Sequence, residues 1–257
     1  MTLDPHEIWS FLLILARVSA MVATAPLFGT TGVPMPVKAG FSALVTFTLL
    51  PLLRSNIGPV PDDLFTLVAQ IASEVAVGLT LGFLVALLFA AVQVAGTYVD
   101  TQIGFGMINV LNPVARQQIS ATGQLMLQLS MTLFLMAGGM LYLVGALVAS
   151  YSVVPAGGAH FAGSWDTVAG SLAGQMMLIA LRIAAPAAAV LLTVDVAFAL
   201  VARTVPQMNV LIVGLPAKII LGLATVSLSL PVLTLAVHED ILPALNDAVR
   251  MVMSAAR

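Results

Sequence analysis

Six long apolar runs constrain this chain more than any other feature of its sequence. They cover residues 8–28, 37–53, 64–94, 125–149, 172–201 and 210–237. A helix needs about 20 apolar residues to cross a hydrocarbon core of about 30 Å, so each run is long enough, the second only just. With 60% hydrophobic and 8% charged residues, the composition is that of an integral membrane protein. Because backbone in lipid must satisfy its own hydrogen bonds, and no run alternates as barrel strands do, we predict an all-α integral membrane protein.

Three of the runs are too long for a straight crossing. At about 1.5 Å per residue, the runs 64–94, 172–201 and 210–237 would extend roughly 42 to 47 Å. We therefore expect these helices to tilt, kink or leave the bilayer. Pro186 and Pro231 are the predicted kink points, since proline removes a backbone donor and clashes with the preceding turn.

The C-terminal residues 238–257 have a different pattern. Their apolar residues recur at helical spacing, and their charged residues fall between them. The apolar set is Ile241, Leu242, Leu245, Val249, Val252 and Met253. This pattern predicts an amphipathic helix that lies on a membrane surface or against a partner. The balance of Asp and Arg favours the partner over lipid.

Charged residues interrupt the apolar runs at Arg17, Glu74, Arg182, Asp195 and Lys218. A lone charge at the bilayer centre costs about 2.5–3.5 kcal/mol on insertion scales, so these groups should face protein, water or each other. One interpretation is ion pairing, for example of Glu74 with Arg17 or Arg182. The other is a secondary transporter, in which Glu74, Asp195 and Arg182 bind substrate or protons. No inverted repeat is evident in the sequence, which counts against the transporter.

A stripe of small residues follows Glu74. Gly78 and Gly82 lie one turn apart, and Ala86 and Ala90 continue the spacing. Such a stripe lets another helix approach closely, either within the chain or from another subunit.

Several classes of function are excluded by what the sequence lacks. It has no cysteine, three scattered histidines, and neither a His-Glu-x-x-His nor a Gly-x-Ser-x-Gly motif, so we predict no enzyme, no metal site and no cofactor. A net charge of −2 without a basic patch predicts no nucleic-acid partner.

The connection at residues 97–124 is a central loop of unusual composition. It is apolar enough to be buried, yet Gly104, Gly106 and Pro113 argue against a regular helix. Irregular backbone at membrane depth occurs only where it packs in protein or lines a wet cavity. One interpretation is a re-entrant loop that only packs beneath its neighbours. The other is a pore constriction that closes a conduit by dewetting, through bulky residues at Phe105, Met107, Ile108, Val110 and Leu111.

A polar motif separates the last two runs. It reads Arg203-Thr204-Val205-Pro206-Gln207-Met208-Asn209-Val210 and is followed by Gly214-Leu215-Pro216-Ala217-Lys218. Polar groups at such depth need partners. Together with Gly104-Phe105-Gly106 and with Glu74, Gly78 and Gly82 at four-residue spacing, the motif resembles the FliR/SctT family of type III secretion export gates. One departure is Asn112 before Pro113, where the family often has an acidic residue.

The resemblance implies a non-enzymatic core subunit of a flagellar protein export gate, in the bacterial inner membrane at the flagellar basal body. Its helices would form bent hairpins, with residues 1–150 as a FliP-like part, 151–237 as a FliQ-like hairpin and 238–257 as the tail of a single membrane domain, 1–257. The implied partners are FliP and FliQ, which form the channel with it, FlhB and FlhA, membrane lipid, and the unfolded flagellar proteins that are exported. The equivalent subunit of a virulence type III system is the alternative.

The resemblance also assigns roles to residues. The pore plug would comprise Gly104, Phe105, Gly106, Met107, Ile108, Val110, Leu111 and Pro113. Contacts to other subunits are expected from Glu74, Gly78, Gly82, Arg203, Pro206, Gln207, Asn209 and Lys218.

Overall fold

The computed structural model describes residues 4–29, 33–54, 57–105, 120–158, 165–205 and 210–255, and these ranges contain helices and no strand. The helices are α1 Pro5–Thr24, α2 Pro26–Gly29, α3 Met35–Leu53, α4 Leu64–Ile103, α5 Ala121–Met136, α6 Gly139–Val153, α7 Trp165–Thr204, α8 Val210–Leu228, α9 Leu230–Leu235 and α10 Leu242–Ala255, with a π-helical turn at Ala236–Ile241. The predicted all-α class is confirmed.

The described helices also confirm a multi-pass membrane protein. Four of them, α1, α3, α4 and α7, are long and apolar enough to cross a membrane, and two interrupted helix pairs raise the number to six. The run at 125–149 is one of these pairs, because Gly138 takes a φ of 77° between α5 and α6. Residues with a side chain rarely adopt that left-handed conformation, so the glycine permits the break.

The two predicted kink points behave differently. Pro231 lies in the first turn of α9, directly after the end of α8, so the predicted break is present. Pro186 lies inside α7, whose helix continues on both sides of it. A kink at Pro186 stays a prediction.

The predicted boundaries of the central loop, 97–124, are wrong at both ends. The helix α4 continues to Ile103, and α5 already begins at Ala121. At the start of the loop the reason is Gly96, a residue that in the sequence predicts a helix break but that permits α4 to pack closely against α5. A Cβ at Gly96 would lie 2.7 Å from the backbone nitrogen of Gly123 in α5.

The chain forms two compact units, each made of segments distant in sequence. The first contains Met1–Leu88, Gly138–Ala173 and Leu242–Arg257, and the second contains Phe89–Ala137 and Gly174–Ile241. These boundaries do not coincide with the predicted divisions at residues 150 and 237. The FliP-like and FliQ-like parts stay a prediction.

In the first unit, α1 packs against α3, and α10 packs against α6. The predicted amphipathic helix is present, but the expectation that its apolar side meets a membrane surface or a partner is wrong. Its apolar residues are buried within the chain, at Leu242, Leu245, Ala248, Val249, Val252 and Met253.

In the second unit, Phe89 of α4 meets Phe134 of α5 edge to face, with 5.3 Å between ring centroids.

Candidate functional site

The first unit contains an ion pair that is shielded from its surroundings. The side chain of Arg17 in α1 is 0% exposed and that of Glu74 in α4 is 1% exposed. Arg17 Nε donates to Glu74 Oε2 at 2.8 Å, and Nη2 donates to Oε1 at 2.9 Å. This two-pronged geometry is the strongest form of an arginine–carboxylate contact. Of the two pairings that the sequence left open for Glu74, the structure shows the one with Arg17.

The remaining donors of Arg17 reach α6 and the residues after it. Nη1 donates to Ser150 Oγ at 2.9 Å, Nη2 donates to the carbonyl of Val154 at 3.2 Å, and the guanidinium lies 3.7 Å from the centre of the Tyr151 ring. On the other side, the backbone nitrogen of Gly157 donates to Glu74 Oε1 at 2.8 Å. A buried charge is tolerated when its hydrogen-bonding groups are satisfied in this way. The network therefore ties together α1, α4, α6 and the residues after α6.

The small-residue stripe lies directly beside this network. A Cβ at Gly78 would lie 2.8 Å from Ala20 Cβ, and a Cβ at Gly82 would lie 2.7 Å from the Met21 carbonyl oxygen. Both glycines thus let α4 approach the backbone of α1. The structure brings Glu74, Gly78 and Gly82 into contacts within the chain, and their contacts to other subunits stay a prediction.

Two further ion pairs lie in the second unit. Lys218 of α8 pairs with Asp195 of α7 beside an open groove of about 290 Å³, and Arg182 of α7 pairs with Asp240 of the π-helical turn. The Arg182 side chain is 70% exposed. All five charges that interrupt the apolar runs, Arg17 and Glu74 included, are therefore members of ion pairs.

The central loop has a polar stem that the sequence reasoning missed. Asp100 of α4 accepts from Ser120 Oγ at 2.6 Å and from the Thr122 nitrogen at 3.1 Å, while Ser120 Oγ accepts from the Gly123 nitrogen at 2.8 Å as the cap of α5. The Asp100 carbonyl also accepts from the backbone nitrogens of the loop's first residues, Gly104 and Phe105, both at 3.1 Å. One residue thus holds both ends of the loop. The available signal was that Asp100 is the sole acidic residue between Glu74 and Asp166.

The same end of α4 packs against α8. Gly222 leaves room for Ile103, which is fully buried, and a Cβ on Gly104 would lie 3.0 Å from Leu215 Cδ2. Gly104 has a φ of 99°, which a residue with a side chain rarely adopts, so the glycine turns the chain out of the helix here.

The other predicted site residues are placed as follows. Arg203 is exposed in the last turn of α7. The remaining plug residues and the centre of the polar motif lie outside the described residues, at Gly106, Met107, Ile108, Val110, Leu111, Pro113, Pro206, Gln207 and Asn209. Their roles stay predictions.

A comparison with known protein families decides the family. The sequence profile described as bacterial export proteins, family 1, matches residues 8–242. The chain belongs to this family. The matched range includes every residue of the Arg17 network and of the loop stem, so both sites lie in the part of the chain that defines a family 1 export protein.

Known proteins that are similar to this chain include flagellar biosynthetic proteins and a translocation protein. The flagellar biosynthetic protein FliR of Bacillus subtilis is 35% identical over 217 residues, 82% of each chain. FliR of Escherichia coli is 30% identical over 220 residues, 85% of this chain and 83% of the relative. The Yop proteins translocation protein T of Yersinia pestis is 35% identical over 158 residues, 61% of this chain and 60% of the relative.

Proposed function

We propose that this chain is a non-enzymatic core subunit of a flagellar type III protein export apparatus in the bacterial inner membrane. The observation that carries the proposal is the similarity to FliR over 82% of both chains. The flagellar assignment is favoured over a virulence system because the similarity to the Yop translocation protein covers only 61% of this chain. The four to six apolar spans supply the membrane anchoring that such a subunit requires.

In its finer form, the proposal is that the chain builds a channel with FliP and FliQ, next to FlhB and FlhA, and that unfolded flagellar proteins pass through it. The central loop plugs the closed channel. The stem at Asp100 supports this role, because the buried Asp100 side chain fixes both ends of an apolar loop to α4 and α5. An apolar segment held in place across a narrow conduit excludes water and therefore ions.

The ion pairs argue against the alternative of a secondary transporter. Coupling through Glu74 would require its release from Arg17, and uncovering one member of a buried pair costs about 3–5 kcal/mol. Arg182 and Asp195 are likewise engaged with Asp240 and Lys218. Glu74, the one buried carboxylate of the three charges, therefore serves the fold of the subunit better than a transport cycle.

The plug is tested by deleting residues 104–111 in cells that contain the complete export apparatus. We expect ion conductance across the inner membrane to rise, while FliP and FliQ still co-purify with the chain. A Gly-Ser replacement of the exposed connection at residues 58–60 is the control and should leave conductance unchanged. An assembled apparatus whose conductance does not respond to the deletion would refute the plug.

A further inference from the structure

The second unit exposes uncharged polar side chains where a lipid-facing surface would be apolar. Gln93 lies in α4, Gln124 and Gln128 lie one turn apart in α5, and all three are exposed. They flank the close crossing of Gly96 and Gly123, since a Cβ at Gly123 would lie 2.9 Å from the Gln93 carbonyl oxygen. The three amides therefore belong to one region of the surface.

Threonines extend this surface along both helices at four-residue spacing. The two rows, which we call the glutamine face, consist of Gln93, Thr97 and Thr101 on α4 and Gln124, Gln128 and Thr132 on α5, all exposed. Thr97 donates to the Gln93 carbonyl at 2.8 Å, and Thr132 donates to the Gln128 carbonyl at 2.9 Å. Because each hydroxyl donor is used within its helix, the outward oxygen lone pairs remain as acceptors.

The exposed surface of α7 in the same unit is a useful contrast. Leu192, Val196 and Leu200, at four-residue spacing, are 64%, 55% and 61% exposed. Such a surface suits lipid, which offers no hydrogen bonds. An exposed amide in lipid would lose its bonds to water without replacement, so the glutamine face requires water or a polar partner.

The glutamine face also carries no charge. Within the two helical segments that form it, 89–103 and 121–136, Asp100 is the sole charged residue. Asp100 is 5% exposed and already bound to Ser120 and Thr122. A surface of neutral amides and hydroxyls neither retains nor repels a passing chain by the sign of its charges. It does match peptide groups, which present one donor and one acceptor per residue.

We propose that the glutamine face forms part of the wall of the water-filled export conduit and contacts the backbone of the unfolded polypeptide in transit. This inference rests on the proposed function. The glutamine face lies outside the plug, and the chain that it contacts is an extended polypeptide. The peptide groups of that chain form hydrogen bonds with the amides and readily exchange them for hydrogen bonds with water.

Because this chain has no cysteine, each variant below carries a single thiol in it, and labelling is measured on this chain after separation from the other subunits. Single variants Gln93→Cys, Gln124→Cys and Gln128→Cys are placed in the assembled export apparatus with residues 104–111 deleted, and a charged, membrane-impermeant thiol reagent is added. Leu192→Cys and Val196→Cys are matched controls on the apolar surface of α7. A thiol in an apolar environment reacts slowly because its pKa is raised, and one pKa unit corresponds to a tenfold lower thiolate fraction. We therefore expect the glutamine positions to react at least about tenfold faster than the controls.

A second measurement uses the apparatus with its loop intact and an exported fusion protein stalled in the conduit. We expect the stalled chain to slow labelling at positions 124 and 128 and to form crosslinks there, with no such change at position 192. Slow labelling at all three glutamine positions in a loop-deleted apparatus that conducts ions would overturn the inference and leave the proposed function standing. Crosslinks from these positions to FliP or FliQ, without crosslinks to the stalled chain, would make the face a subunit interface and also overturn it. If the loop deletion produces no conductance, the plug is refuted. Protection from labelling by the stalled chain and crosslinks to it then decide alone whether the glutamine face lines the conduit.

Discussion

Replacement of Glu74 tests whether the buried ion pair stabilises the first unit as its geometry indicates. In Glu74→Ala, Arg17 stays buried and loses two of its charge-assisted hydrogen bonds, and the Gly157 nitrogen loses its acceptor. Removing one member of a buried pair costs about 3–5 kcal/mol. We expect the free energy of unfolding to fall by that amount.

The assay is reversible unfolding of the purified chain in mixed detergent micelles, followed by tryptophan fluorescence, since Trp9 lies buried in α1. The matched control is Glu7→Ala. Glu7 also pairs with an arginine, Arg54, but the two side chains are 48% and 57% exposed and 3.2 Å apart. An exposed pair of this kind contributes about 0–1 kcal/mol, so the control should change stability little.

The double variant Arg17→Met with Glu74→Leu separates the pair from its surroundings. Replacing both members of a buried pair by apolar residues is often neutral or stabilising by about 1–4 kcal/mol. We expect the double variant to be markedly more stable than Glu74→Ala. The pair does not carry the energy assigned to it if the stability changes of the single variants Arg17→Met and Glu74→Leu add up to that of the double variant. The same conclusion follows if Glu74→Ala lowers the free energy of unfolding no more than Glu7→Ala does.

Four further substitutions test local contacts. Gly82→Val should destabilise the chain by about 1–3 kcal/mol, because it forces α4 away from the Met21 carbonyl; Gly174→Ala, at a helical position with open space, should stabilise it by about 0.5–1 kcal/mol in the same unfolding assay. Asp100→Ala should cost about 1–3 kcal/mol through the unpaired Thr122 nitrogen and raise ion conductance of the assembled apparatus, and a conductance equal to wild type would separate the stem from the plug. Arg182→Gln should change the stability of the isolated chain by less than about 1 kcal/mol, since its side chain is 70% exposed, and a larger loss would show that the Asp240 contact is buried in solution.

The class of fold follows from composition alone, whereas the contacts at the site do not. Apolar runs of about 20 residues permit few structures other than helices in a membrane. The partner of Glu74 remained open because Arg17 and Arg182 both satisfy its charge. What selects Arg17 is the close approach of α1 and α4 at Gly78 and Gly82, a three-dimensional fact that spacing alone does not contain.

The remaining differences have similar causes. A glycine such as Gly96 looks the same in the sequence whether it ends a helix or lets two helices cross closely. Only the position of Gly123 in the folded chain shows that Gly96 lies at a helix crossing. The stem between Asp100 and Ser120 joins residues on either side of a loop, so no helical or strand periodicity reveals it. The pattern of α10 shows that its apolar side is covered, but it does not identify α6 as the element that covers it.

The first unit is assembled from segments that are far apart in the sequence, and this constrains the order in which it can form during synthesis and membrane insertion. Arg17 leaves the ribosome well before Glu74, Ser150 and Gly157, and α10, which completes the unit, is made last. At about 5–20 residues per second, synthesis of the intervening chain takes on the order of ten seconds. Throughout that interval the guanidinium needs water, lipid headgroups or the insertion machinery as its temporary surroundings. The final burial of α1 in this protein is therefore a late event of biogenesis: a chain truncated before α4 would leave Arg17 with an uncompensated charge, and one truncated before α6 would leave it without Ser150 and Val154.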